Sequence, residues 1–178
     1  MSRVIQPVGA DTGVLTTTVS ALYLHGPRAS APDDTAPTPM IAVTEIMALM
    51  GLGLAGDVRF LKPTRRNGSE NLRQVSVIDA GTLARHESRF GVIPWEVVKS
   101  QIVLAGDFRL PDRLGSRLIF GEGDGAAILE LTIPRQPCFA MDLIYHGLKD
   151  AMEQGEQGAL ARVARGGPIR VGMTVSVR

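Results

Sequence analysis

The sequence has a single cysteine, Cys138, few aromatic residues and almost no net charge. One cysteine cannot form an internal disulfide, so we expect the fold to be stable without one. Aromatic residues make up 4% of the chain, and 19 Lys and Arg are balanced by 18 Asp and Glu. Such a composition provides neither a strongly basic surface nor a row of stacking side chains. It therefore argues against nucleic acid as a partner.

Long apolar runs are also missing. No segment approaches the roughly 20 apolar residues that a membrane-spanning helix requires. The opening residues, MSRVIQPVGADTG, contain no apolar stretch of the length found in signal peptides. We therefore expect a cytoplasmic protein that does not bind a membrane.

Several common catalytic and binding motifs are absent. His25, His86 and His146 are far apart and lack metal-ligand spacing, so a zinc site is not expected. No Walker-type loop or dinucleotide-binding glycine motif follows a predicted strand, and no serine lies in a nucleophile elbow. The sequence thus gives no support to nucleotide-dependent or serine-hydrolase chemistry.

The 178 residues are 44% hydrophobic and 21% charged, which is usual for one globular domain with a substantial core. We find no internal repeat or domain boundary and treat 1–178 as a single domain. Short apolar, β-branched segments predict strands at 14–24, 41–49, 74–79, 101–105, 117–120 and 126–133. The glycine-rich segment 121–125 predicts a hairpin, and Gly166-Gly167 predicts a final one. Many short strands with few short helices predict a mainly β fold, a closed or nearly closed barrel.

The predicted helices are few. Asp79 is placed to cap a helix that Gly91 ends, and 94–99 is predicted to form one further helical turn. Apolar residues at helical spacing predict an amphipathic helix over roughly 141–153. The segment 27–39 contains four prolines and is predicted to be a flexible loop, either a lid over a site or a solvated connection.

Cys138 has surroundings that favour chemistry. It follows a strong predicted strand on a loop that Pro134 and Pro137 constrain, and Arg135 is three residues away. A nearby positive charge and a helix N-terminus both favour the thiolate, which is a nucleophile and a soft metal ligand. The alternative from these features alone is a buried, inert cysteine.

The order of the segments around Cys138 resembles that of the MOSC domain, a module found at the C-terminus of molybdenum cofactor sulfurases and in small standalone proteins. The resemblance extends from about Val14 and is strongest over 41–178. The matching segments, in chain order, are GLGLAGDVRF, RQVSVIDA, SQIVLAGDFRL, LGSRLIFG, LTIPRQPCFAMD and ALARVARGGPIRVGMTV.

The resemblance implies a β-barrel with a site for the pyranopterin molybdenum cofactor. It implies that Cys138 ligates molybdenum or, as proposed for sulfurases, carries sulfur as a persulfide. Relatives that hold the metal reduce N-hydroxylated substrates with electrons from partner proteins. We therefore expect a small-molecule substrate and, as partner, an external electron-donor protein or a cysteine desulfurase. This chain lacks the larger sulfurase domain that binds pyridoxal phosphate, so that cofactor is not expected.

The resemblance also indicates residues that would bind the cofactor. Relatives often have Arg-x-Asn before a strand, and the matching positions here are Lys99 and Gln101. Lysine keeps the charge but not the planar fork of arginine, and glutamine keeps the amide. The basic residue after Gly-Asp is displaced by one position to Arg59. With Arg135, which is near the thiol in sequence, these residues form the predicted cofactor-binding set.

Two further groups belong to that prediction. Arg65 and Arg66, with Lys62, form a basic cluster suited to the cofactor's phosphate, the alternative being a solvated loop. Gln74 and Ser76 alternate along a predicted strand, so both side chains are placed to face the barrel mouth, the alternative being a structural role.

Our leading interpretation is a molybdenum-dependent oxidoreductase, or its metal-bearing part, with Cys138 as the metal ligand. A single cysteine excludes a built-in cysteine-ligated iron–sulfur cluster, so electrons must come from a partner. The alternatives are a sulfur carrier that forms a Cys138 persulfide and a binding module of the same fold without metal.

Overall fold

The computed structural model describes residues 14–26, 39–58, 62–153 and 155–178. Arg59 and residues 27–38 of the predicted loop lie outside this part of the chain. The strands are β1 (Leu15–Leu24), β2 (Ile41–Val43), β3 (Glu45–Leu49), β4 (Gly53–Leu54), β5 (Val75–Asp79), β6 (Ile102–Leu104), β7 (Arg117–Phe120), β8 (Ala127–Pro134), β9 (Ala159–Arg165), β10 (Gly167–Arg170) and β11 (Thr174–Val177). The helices are α1 (Ala80–Phe90) and α2 (Leu148–Ala151), and short 3₁₀ turns lie at Trp95–Val97, Leu110–Arg113 and Phe139–Met141.

Seven of the strands form a closed barrel, which confirms the predicted fold class. The strand order is β11-β7-β8-β9-β5-β6-β1, and β1 pairs back to β11 to close the ring. Strand β1 serves two neighbours because its first half pairs with β11 and its second half with β6. Only the β5–β6 pair in this ring is parallel, with Val77 opposite Ile102.

Apolar side chains pack on both faces of the barrel wall. Val75 and Val77 of β5 belong to the cluster that fills the barrel interior. Ile78, on the opposite face of the same strand, packs with Leu83 of α1 and Val98 in a second, outer cluster. Side chains alternate between the two faces of a strand, so this pattern also places Ser76 on the outer face with Ile78.

Helix α1 is the crossover between the parallel strands β5 and β6, and its ends are those predicted. The Asp79 carboxylate accepts a hydrogen bond from the Thr82 backbone N–H at 2.8 Å, and Gly91 ends the helix. Burial raises the pKa of the Asp79 carboxyl, whose second oxygen has no hydrogen-bond partner. Within the described residues, no helix has the length and apolar character needed to cross a membrane.

The predicted amphipathic helix over 141–153 is wrong. This segment consists of turns followed by the four-residue helix α2. Gly147 has φ +82° and interrupts the helical path, and the Asp142 carboxylate accepts a hydrogen bond from the Lys149 backbone N–H at 2.9 Å. The apolar spacing instead reflects burial, since Met141, Leu148 and Met152 all pack in the outer cluster.

The predicted final hairpin at Gly166-Gly167 is also wrong. Strand β9 pairs with β5 and β8, whereas β10 leaves the barrel and pairs with β3 in a three-stranded sheet with β4. A Cβ on Gly167 would lie 2.5 Å from the Gly125 carbonyl oxygen, so the chain crosses another backbone segment there. By contrast, the hairpin predicted at 121–125 forms between β7 and β8.

Candidate functional site

Cys138 lies on the loop that leaves the barrel at the end of β8. Its backbone is extended, and its carbonyl oxygen accepts a hydrogen bond from the Met141 N–H at 3.0 Å. The thiol is exposed, so the alternative of a buried cysteine is wrong. The structure after it is a three-residue 3₁₀ turn rather than a helix, so a helix dipole does not stabilise the thiolate as expected.

Arg135 fastens this loop to the segment that precedes β6. Its Nη1 donates to the Ser100 hydroxyl at 2.7 Å, and its Nη2 donates to the Val98 carbonyl oxygen at 3.0 Å. Its backbone N–H donates to the Gly158 carbonyl oxygen at 2.9 Å. These two contacts join segments 35 to 37 residues apart in sequence.

Lys99 occupies the middle of the segment that Arg135 contacts. Its φ of +65° is left-handed, a conformation that costs a non-glycine residue free energy. The Lys99 carbonyl oxygen accepts a hydrogen bond from the Ser76 hydroxyl at 3.3 Å, and Ser100 beside it is fully buried. Backbone strain of this kind is concentrated at functional sites, where the surrounding structure maintains it.

Behind Lys99 lies a buried polar network. The Gln101 side-chain oxygen accepts from the Ser76 backbone N–H at 2.9 Å, and the Gln101 N–H donates to the Ser76 hydroxyl at 3.0 Å. The Gln101 side-chain amide then donates to Asp57 Oδ2 at 2.9 Å. The same carboxylate oxygen accepts from the His25 backbone N–H at 2.8 Å and lies 2.9 Å from His25 Nδ1. Gln101 and Asp57 are fully buried, so the network is part of the protein interior.

The sequence reasoning missed the pairing of His25 with Asp57. The Asp57 backbone N–H donates to the Leu54 carbonyl oxygen at 3.2 Å, as in a turn. Its carboxylate, however, connects the end of β1 to the start of β6 across 32 and 44 residues of sequence. The available signal was the Gly56-Asp57 pair, one residue after the short strand β4.

The remaining predicted residues lie apart from this network. Both ends of the Gln74 side chain bond to backbone, the amide to the Gly51 carbonyl oxygen at 2.9 Å and the oxygen to the Val163 N–H at 2.8 Å. Gln74 is fully buried, which fits the structural alternative. Arg65 and Arg66 are exposed on a loop, which fits the solvated alternative.

The loop that carries Arg65 and Arg66 is nevertheless fixed to the barrel. Its Leu72 carbonyl oxygen accepts a hydrogen bond from the Thr132 hydroxyl at 2.6 Å, and Glu70 pairs with Arg162 at 2.9 Å. Thr132 precedes the end of β8 by two residues. The basic loop therefore attaches to the strand from which the Cys138 loop departs.

The side chains of the described residues limit how a metal could be bound at Cys138. Throughout the described ranges, no group of three or more His, Cys, Asp and Glu side chains could hold a metal ion. A metal bound by the exposed Cys138 would therefore need most of its other ligands from a bound group rather than from these side chains.

No protein-family model and no curated protein matches this chain. Solved structures do resemble it. The YuaD protein from Bacillus subtilis is 20% identical, with a TM-score of 0.71 over 92% of this chain and 96% of that one. YiiM from Geobacillus stearothermophilus is 15% identical, with a TM-score of 0.64 over 91% and 75%. YiiM from Escherichia coli is 18% identical, with a TM-score of 0.59 over 90% and 69%. These likenesses support a MOSC-type fold.

Proposed function

We propose that this protein binds the pyranopterin molybdenum cofactor with Cys138 as the metal ligand and reduces small N-hydroxylated substrates. The observation that carries the proposal is an exposed, unique thiol on a loop that Arg135 fastens to the strained Lys99 segment. The MOSC-type fold supports it. Electrons would come from a partner protein, because one cysteine cannot ligate an iron–sulfur cluster.

The residues present fit such a group in part. Cys138 supplies the soft, exposed ligand that molybdenum requires, and Lys99 supplies a cation for the cofactor's phosphate. Gln101 and Ser76 do not fit as direct contacts, because their polar atoms bond to one another, to Asp57 and to the Lys99 carbonyl oxygen. We assign them a positioning role that maintains the backbone on either side of Lys99.

In this proposal the chain's own residues hold the cofactor and fix the position of its metal ligand. When bound, the molybdenum centre supplies the two-electron chemistry by which an N-hydroxyl compound, two electrons and two protons give an amine and water. Arg135 fixes the thiol-bearing loop against the 98–100 segment, which sets the position of Cys138. The buried Asp57 keeps Gln101, and with it the start of β6, in one conformation.

An exposed Cys138 also favours a second candidate function. A sulfur carrier needs a thiol that a cysteine desulfurase can reach, and a buried cysteine would not serve. In that role the thiolate accepts a sulfur atom as a persulfide and passes it on, with no reduction of substrate. The two functions use the same residue but require different partners.

One experiment separates these functions. Wild type, Cys138→Ser and, as a control on the same loop, Gln136→Ala are purified from a host that makes the cofactor. We expect wild type and Gln136→Ala to reduce an N-hydroxylated test substrate with an artificial electron donor, and Cys138→Ser to fall to background. A gain of one sulfur in the intact mass of wild type, after incubation with a desulfurase and without reductase activity, would favour the carrier. Full activity in Cys138→Ser would exclude the proposed function.

A further inference from the structure

A polar cavity lies at the far end of β6 from Lys99. Its volume is about 460 Å³, within the range of small-ligand sites. It is lined by Asp107, Phe108, Arg109, Asp112 and Arg113, which lie in the loop after β6 and the following 3₁₀ turn. None of these residues takes part in the Cys138 site, so the cavity is independent of the proposed function.

Two guanidinium groups line this cavity. Arg109 Nε lies 3.3 Å from Asp112 Oδ2, and Arg113 Nε donates to the Phe108 carbonyl oxygen at 3.1 Å. Among the described residues, neither guanidinium has a hydrogen-bond partner at its Nη atoms. Each therefore retains the pair of donors with which arginine binds phosphate or carboxylate oxygens.

Of the two carboxylates that line the cavity, one is paired with an arginine outside it. Asp107 forms an ion pair with Arg85 of α1, and this contact raises the pKa of the Arg85 guanidinium. Arg85 also lies 3.7 Å from Glu156, so its charge is shared between two carboxylates. Asp112 is the lining carboxylate that contacts a lining arginine, Arg109.

Packing within the protein fixes the backbone of the cavity wall. Arg109 has φ +47°, the second left-handed non-glycine residue of the described chain beside Lys99. The preceding loop is close-packed on α1, since the Gly81 N–H donates to the Gly106 carbonyl oxygen at 2.6 Å. A Cβ on Gly106 would lie 2.8 Å from the Phe108 ring, so this ring rests directly on the glycine backbone. The strain at Arg109 is thus maintained by a rigid loop, as at ligand-binding positions elsewhere.

We infer that Arg109 and Arg113 form an anion site that takes a phosphate group, bound through the Nη atoms of both side chains. Asp112 competes with the anion for Arg109. Removing its charge should therefore strengthen binding, whereas removing either arginine should weaken it.

The test is a titration of the protein with inorganic phosphate, during which the amide and arginine Nε chemical shifts are monitored by NMR. We expect saturable shifts at Gly106–Arg113. Because each charge-assisted pair is strong, Arg109→Gln and Arg113→Gln should each weaken binding about tenfold or more. Asp112→Asn should tighten it several-fold, a gain that misfolding cannot produce.

The matched control is Arg117→Gln, which removes an exposed arginine outside the cavity lining and should bind as wild type does. Thermal unfolding of each variant checks that it is folded. The inference is overturned if the shifts do not saturate, if Arg117→Gln weakens binding as much as Arg109→Gln, or if Asp112→Asn binds no more tightly than wild type.

Discussion

The left-handed backbone of Lys99 permits a test that separates strain from charge. A non-glycine residue in this conformation costs about 1–2 kcal/mol, and glycine removes that cost. Glycine also gives the unfolded chain more freedom, which costs about 0.5–1 kcal/mol. Alanine keeps the strain and removes the charge. We therefore expect Lys99→Gly to be more stable than Lys99→Ala by about 0.5–1 kcal/mol, which corresponds to a melting temperature a few degrees higher.

The order of the Lys99 variants in cofactor retention should differ from their order in stability. Both variants lack the ammonium group, so both lose a charge-assisted hydrogen bond worth about 1.5–3 kcal/mol and retain less molybdenum than wild type. Lys99→Arg keeps a cation and adds a planar fork, so it should retain at least as much as wild type. The glycine variant would thus combine higher stability with weaker binding.

The measurements are urea unfolding midpoints and molybdenum per chain after dialysis. Equal stability of Lys99→Gly and Lys99→Ala would show that Lys99 is not left-handed in solution. Equal molybdenum content in wild type and both variants would show that the Lys99 ammonium does not contact the cofactor. Either result would refute the reasoning for this residue.

Three other substitutions test residues that stabilise the fold, and urea unfolding measures their effects. Asp57→Ala leaves the buried donors of the network without their acceptor and should destabilise the fold by about 3 kcal/mol or more. Asp79→Asn should be more stable than wild type at neutral pH, because burial raises the pKa of this carboxyl and an amide caps equally well. Gly158→Ala should cost about 3 kcal/mol or more, because its Cβ would overlap the Val77 carbonyl oxygen and its φ is +80°.

Each of these has an outcome that contradicts it. An Asp57→Ala protein as stable as wild type would mean that the network does not form. For Asp79 the folded-state pKa lies above the unfolded value, so its contribution to stability is present in acid and lost as pH rises. The extra stability of Asp79→Asn over wild type must therefore shrink in acid. A stability difference that does not change with pH would contradict the raised pKa of Asp79. Gly172→Ala, with φ +81° and open space around its Cβ, is the control and should cost clearly less than Gly158→Ala.

Features set by local sequence were predictable. The cap at Asp79, the stop at Gly91 and the glycine-rich hairpin between β7 and β8 each depend on a few neighbouring residues. The helix predicted at 141–153 failed because a buried, turn-rich segment can repeat apolar residues at helical spacing without being a helix. The hairpin at Gly166-Gly167 failed because β10 pairs with β3, more than 100 residues away in sequence.

The candidate site also has a part that the sequence predicts and a part that it does not. Cys138 and Arg135 lie three residues apart on one loop after β8, and the position of that loop after a strand was predictable. The contact of Arg135 with Ser100 and Val98, and that of Asp57 with His25 and Gln101, depend on how barrel strands are arranged in space. No local pattern encodes that arrangement. The left-handed conformation of Lys99 was equally hidden, because nothing in its neighbours marks a lysine as strained.

Metal content is the simplest measurement of whether Cys138 ligates molybdenum. Wild-type protein from a host that makes the cofactor is compared with the same protein from a host that does not. We expect about one molybdenum and one pterin per chain in the first preparation and none in the second. We also expect Cys138→Ser to retain less molybdenum than Gln136→Ala, whose change lies on the same loop. Wild-type protein with molybdenum and pterin at the background of the second host would show that the chain does not bind the cofactor.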